Sequence, residues 1–134
     1  MPGLPLLFLT STFALTGCTL SLAGKSQTQA LYVPEYLSIQ TRLLDDDLVN
    51  FLVKMKGART KGDVADYAKC AAAQYTLIRG YGFARHVRTK VEESDGIWRG
   101  DAVYTVSAAL PEGLLTLDAE VVVENCKSDG IPMV

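Results

Sequence analysis

The chain is 134 residues long, enough for one domain with a modest core and too short for two. Its 13 Lys and Arg against 15 Asp and Glu give a net charge of −2, and the cations are strewn from Lys25 to Lys127, which argues against a nucleic-acid partner. One histidine and three cysteines give no close-spaced zinc ligand set.

The chain opens with an uncharged, mostly apolar run from Leu4 that closes on Leu15-Thr16-Gly17-Cys18, the pattern of a bacterial signal sequence and lipobox. The run is about a dozen residues, short of the roughly 20 that cross a bilayer. On this reading residues 1–17 are a signal peptide, the Cys18 thiol carries diacylglycerol, and the new amino terminus is acylated with a chain such as palmitate. Thr19, where Asp would retain the protein at the inner membrane under the enterobacterial sorting rule, directs it to the outer membrane. The alternative, an apolar N-terminal helix docked on the core, is disfavoured by Pro2 and Pro5.

Residues 18–44 then form the lipidated cysteine, a small-residue tether and an extended segment. Thr19 to Ala30 is rich in Ser, Thr, Gln and Gly. Leu31 to Leu44, with Tyr32, Val33, Tyr36, Leu37 and Ile39 around Pro34, is too apolar to hang free and is expected to lie extended against the domain. Asp45-Asp46-Asp47 marks a solvated turn rather than a calcium loop.

Residues 45–134 make the single domain. From Leu48 to Met55, apolar Val49, Phe51, Val53 and Met55 alternate with Asn50, Leu52 and Lys54, a half-buried strand. Gly57 ends it. Thr60 caps a helix over Lys61–Arg79, with Asp63 in its first turn and Gly80 as its stop. Ala68, Ala71, Ala72 and Ala73 let that helix lie close to a sheet, while Tyr67, Tyr75, Leu77 and Ile78 fill the margins.

Three further strands follow. Phe83 to Val91 places Phe83, Val87 and Val91 on one side, with His86, Arg88 and Lys90 on the other. Ser94-Asp95-Gly96 is hairpin-turn chemistry leading into Ile97–Ala108, with Trp98, Ala102, Tyr104 and Val106 on its apolar face. Leu114 to Val123 alternates cleanly, with Leu115, Leu117, Ala119, Val121 and Val123 inward. Asp118, Glu120 and Glu124 are then set to pair across strands with Arg85, His86, Arg88 and Lys90. The order predicts a two-layer α+β fold, one long helix on a largely antiparallel four-stranded sheet.

With Cys18 committed to lipid, Cys70 and Cys126 remain. An oxidising compartment favours a disulfide between them, stapling the helix to the sheet, over two inert buried thiols.

Phe51-Leu52-Val53, Gly57, Thr60, Asp63-Val64, Tyr67-Ala68, Ala72, Thr76-Leu77 and Gly80-Tyr81-Gly82-Phe83 together resemble a family of small uncharacterised alphaproteobacterial lipoproteins. That resemblance implies an envelope location and a small α+β domain, and brings no activity with it.

The sequence holds no nucleophile arranged with His86, and a surface histidine is the simpler reading. No catalytic residue, metal or cofactor is expected, and the chain does not read as an enzyme. The favoured function is a lipid-anchored protein on the periplasmic side of the cell envelope, with a structural or protein-interaction role and an envelope protein partner. The alternative is a periplasmic binding module for a small ligand or cell-wall component. An exposed apolar patch would favour the first, and a concave pocket with convergent polar groups the second.

Overall fold

In the computed structural model, residues 2–5 and 31–134 are described; Cys18, the lipobox and the tether to Ala30 lie outside them. Leu31–Val134 is one compact unit. Its elements run β1 Glu35–Leu43, β2 Leu48–Lys56, α1 Lys61–Ile78, β3 Phe83–Ser94, β4 Ile97–Ser107, β5 Thr116–Asp118 and α2 Ala119–Ser128. The strands form one antiparallel sheet in the order β1-β2-β4-β3-β5, curled into half a barrel.

This corrects the expected two-layer α+β fold of one long helix on four strands. The described residues are mostly sheet, with five strands and two helices. Two segments account for the change. Glu35–Leu43 is a full edge strand hydrogen-bonded to β2. The clean alternation from Leu114 holds as a strand for only the three residues of β5, after which the chain turns helical. Strand β4 also inserts between β2 and β3, so these two are parallel to each other without being neighbours.

The α2 segment satisfies two periodicities at once. Ala119, Val123 and Cys126 stand at i, i+4 and i+7, and those three are its buried residues, whereas Val121, apolar in the strand register, is 56% exposed. Asp118 decides the outcome: its carboxylate accepts from the backbone N–H of Glu120 and of Val121, satisfying donors that a strand would not leave free.

Both helices stop in the same way. Past α1, Gly80 (φ +78°) donates to Leu77 O and Tyr81 to Thr76 O; past α2, Gly130 (φ +70°) donates to Lys127 O and Ile131 to Cys126 O. This is the Schellman arrangement, in which a glycine takes the left-handed conformation other residues resist. Thr60 caps α1 as expected, its hydroxyl accepting from Gly62 N–H.

Helix α1 lies across the inner face of the sheet. Its Val64, Tyr67, Ala68, Ala71 and Ala72 are buried against Val49, Phe51, Val53 and Met55 of β2 and Ala102, Tyr104 and Val106 of β4. Gly100 of β4 permits the approach, because a Cβ there would stand 2.8 Å from Val53 Cγ2 and 2.9 Å from Val64 Cγ1. Helix α2 packs on α1 through a smaller cluster of Ala73, Ala119 and Val123. Cys70 and Cys126 form a disulfide with Cα atoms 5.9 Å apart. It joins helix to helix, not helix to sheet as the sequence pattern indicated.

Candidate functional site

The register of β3 determines what its polar residues face. Between His86 and Arg88 the pairing with β4 shifts by one, so Val87 is an extra residue, a β-bulge, and is 52% exposed. On either side of it Ala84 and His86, then Thr89 and Val91, face the helix, while Arg85, Arg88, Lys90 and Glu92 face outward. His86 is therefore not on the solvent face with Arg88 and Lys90. Its Nε2 lies 2.7 Å from Thr89 Oγ1, and its ring stands edge-on to Tyr104 at 5.1 Å. Burial, with the Asp66 carboxylate a smaller contribution, pushes the Tyr104 phenol well above its ordinary range.

The outward face carries no helix among the described residues, and the charge on it is uneven. Arg42 of β1, Lys54 and Lys56 of β2, Arg85, Arg88 and Lys90 of β3 and Arg99 of β4 all project from it, against Glu35, Glu92 and Asp101. Cations far apart in the sequence are thus gathered by strand pairing onto one surface of a protein whose net charge is −2. Of the acids expected to neutralise them, Asp118 shares this side of the sheet through its pairing with Phe83 but turns its carboxylate to the start of α2, and Glu120 and Glu124 belong to α2.

At its centre this face holds a polar network. Asn50, 7% exposed, donates from Nδ2 to Asp101 Oδ1 at 2.6 Å and to Ala102 O at 3.1 Å. Arg88 Nη1 reaches the same Asp101 oxygen at 3.2 Å and the Asp101 carbonyl at 3.3 Å. One carboxylate so ties β2, β4 and β3 together, and its charge is taken up by Arg88.

Beside the network lies a groove of about 450 Å³. Its outward-facing residues form two rows across four strands, Gln40, Leu52, Asp101 and Lys90 in one and Ser38, Lys54, Arg99 and Glu92 in the next. Leu52 gives the groove an apolar patch, and the other side chains in these rows are polar or charged. This volume falls within the range of small-ligand sites.

A second polar cluster sits where the chain enters the unit. Arg59 lies 3.8 Å over the Tyr32 ring and holds Asp63 through a bond of 2.9 Å from Nη2 and another of 3.1 Å from Nε. Those bonds hold the Asp63 carboxyl below its ordinary value, against the opposing effect of its burial. Burial pushes the Tyr32 phenol up to about 12, with the nearby Tyr36 and Asp63 adding to the shift. This cluster fastens the segment before β1 to the N-terminus of α1.

The expected disulfide residues Cys70 and Cys126 are thus brought together, and Cys18 lies outside the described residues. The groove was not legible as a site in the sequence, because its members belong to four strands whose order is not readable from one chain. Among the described residues, no helix is long and apolar enough to cross a membrane.

Residues 36–130 match the YNQ4 C-terminal domain family. The chain is also 31% identical over 87 residues to an uncharacterized 26.9 kDa protein in the nqo8 5′ region of Paracoccus denitrificans. That match takes in 65% of this chain and 34% of the relative, so the chain spans about a third of that protein's length. No solved structure matches it. With β2 to β5, both helices and all but the first residue of β1 inside the matched residues, the chain belongs to the YNQ4 C-terminal domain family.

Proposed function

We propose that this protein is a lipid-anchored component of the bacterial cell envelope, held through Cys18 on the periplasmic side, that works by binding rather than by catalysis. The outer membrane is the favoured location, from Thr19 after the lipidated cysteine. The Cys70–Cys126 disulfide supports an oxidising compartment. The observation that carries the binding role is the outward face of the sheet, left uncovered among the described residues, where cations from β1, β2, β3 and β4 gather. Such a surface suits contact with an anionic partner.

The test has two arms. Metabolic labelling with a palmitate analogue should mark the wild type and not Cys18→Ser, which is released from membranes or stalls as a precursor; normal processing and membrane association of the variant would sink the anchor. A photo-crosslinking residue at Gln40, on the outward face, should capture a partner in native membranes that the same residue at Glu124, on α2, does not. Equal capture from both positions would remove the face from the argument.

The groove favours a second reading, a periplasmic module for a small ligand, since its polar and charged side chains converge from four strands onto one concavity.

A further inference from the structure

Lys54 and Arg99 are direct partners across β2 and β4. Like charges placed directly opposite in an antiparallel pair repel and destabilise the sheet, with Cβ atoms only about 5 Å apart. Lys90 lies on the next strand, one row along, at the same groove. Among the described residues none of the three has a carboxylate oxygen within 4.0 Å. Asp101, the register partner of Lys90, already accepts from Asn50 and Arg88, and Glu92, the register partner of Arg99, stops short of an ion pair.

We infer that this groove is a binding site for a small phosphate-bearing ligand, with Lys54, Arg99 and Lys90 holding the phosphate. The inference rests on the reading of the outward face as the working surface. A phosphate carries up to two negative charges and several acceptor oxygens, which suits a guanidinium fork beside two ammonium groups better than a single carboxylate does. It also relieves the repulsion between Lys54 and Arg99, against which the strands set only Glu92, opposite Arg99 but not in an ion pair with it. The groove is larger than a bare ion requires. Leu52 offers apolar surface to a carbon skeleton, and Ser38 and Gln40 offer hydrogen-bonding groups to hydroxyls on it.

The phosphate has two sources, a soluble phosphorylated compound or a phospholipid headgroup. The experiment uses the full chain carrying Cys18→Ser, so that no acyl group contributes. Calorimetric titration with inorganic pyrophosphate at low ionic strength should give salt-sensitive binding. In Lys54→Gln with Arg99→Gln that binding should weaken by at least about tenfold, while Lys127→Gln, which removes a cation from α2, leaves it unchanged. The double variant should melt no lower than its parent, because it loses a repulsive pair. Flotation with phosphatidylcholine vesicles, with and without phosphatidylglycerol, then separates the sources: capture by the anionic vesicles that the double variant loses identifies the headgroup, and pyrophosphate binding without capture identifies the soluble compound. Absence of pyrophosphate binding, binding undiminished in the double variant, or an equal loss in Lys127→Gln overturns the site. Crosslinking from Thr105, on the outward face but outside the groove, reads that face independently of these outcomes, so a failed site and a failed interaction face are told apart.

Discussion

Single atoms decide much of this structure. Gly100 is buried where α1 crosses β4, and a methyl group there would meet Val53 and Val64 at distances that real contacts do not show. Gly100→Ala should therefore lower stability by roughly 1 to 3 kcal/mol, as overpacking does, and an unchanged urea midpoint would mean that α1 sits farther from the sheet than described. Asp63 offers a pH-dependent test. Its carboxyl is held below the ordinary value by Arg59, so its stabilising contribution is present above the unfolded value of about 3.9 and is lost as pH falls through the lower folded value. Asp63→Asn should melt below wild type at neutral pH, and the two melting curves should converge as the solution is acidified below about pH 4. A gap that stays constant with pH would assign the effect to something other than the charge.

At the level of elements, α2 depends on its cap and its bridge. Asp118→Ala removes the acceptor for two N–H groups and should cost about 0.5 to 2 kcal/mol, with loss of helical signal. The Cys70–Cys126 bridge spans a sequence separation of 56. Chain-entropy reasoning assigns a loop of that size roughly 4 kcal/mol. Reductant should lower the melting temperature of the wild type clearly and leave Cys70→Ala with Cys126→Ala unaffected; equal response of both proteins would show that the bridge does not form in solution. What could be read in advance followed from local rules. Strand β2, the Thr60 cap, the Gly80 stop and the Asp95-Gly96 turn, where both residues take positive φ, are each specified by a few adjacent residues. Helix α2 escaped because Leu117, Ala119, Val121 and Val123 read as alternation, although Asp118 and Gly130 mark a helix's two ends. The pairing of β1 with β2, and the insertion of β4 between β2 and β3, depend on contacts between distant segments that no local pattern records. The candidate groove inherits that opacity, since Lys54, Lys90 and Arg99 meet only once the strands are ordered.

Considered as a whole, the described unit keeps an excess of cations on the outward face of the sheet, while its helices carry both signs, with Asp66 paired to Lys69 on α1 and Glu124 to Lys127 on α2. The bulge at Val87 keeps the cations of β3 on that face. Were Val87 instead paired regularly with Val103, Arg88 would stand opposite Ala102 and Lys90 opposite Gly100, both in the inward rows beneath α1, while Thr89 and Val91 would turn to water. Deleting Val87 leaves His86 opposite Tyr104 and Arg88 opposite Val103 in a regular ladder, so the deletion variant, like Val87→Thr at this half-exposed position, should fold and melt close to wild type, whereas inserting one residue after Val87 should impair folding; a deletion variant that fails to fold would mean that the bulge itself is required. The bulge acts as a parity bit for the strand. One deletion at Val87 is absorbed by losing the bulge, whereas one insertion inverts the sidedness of everything between it and the turn at Asp95, so single deletions should pass in the family in this stretch where single insertions do not.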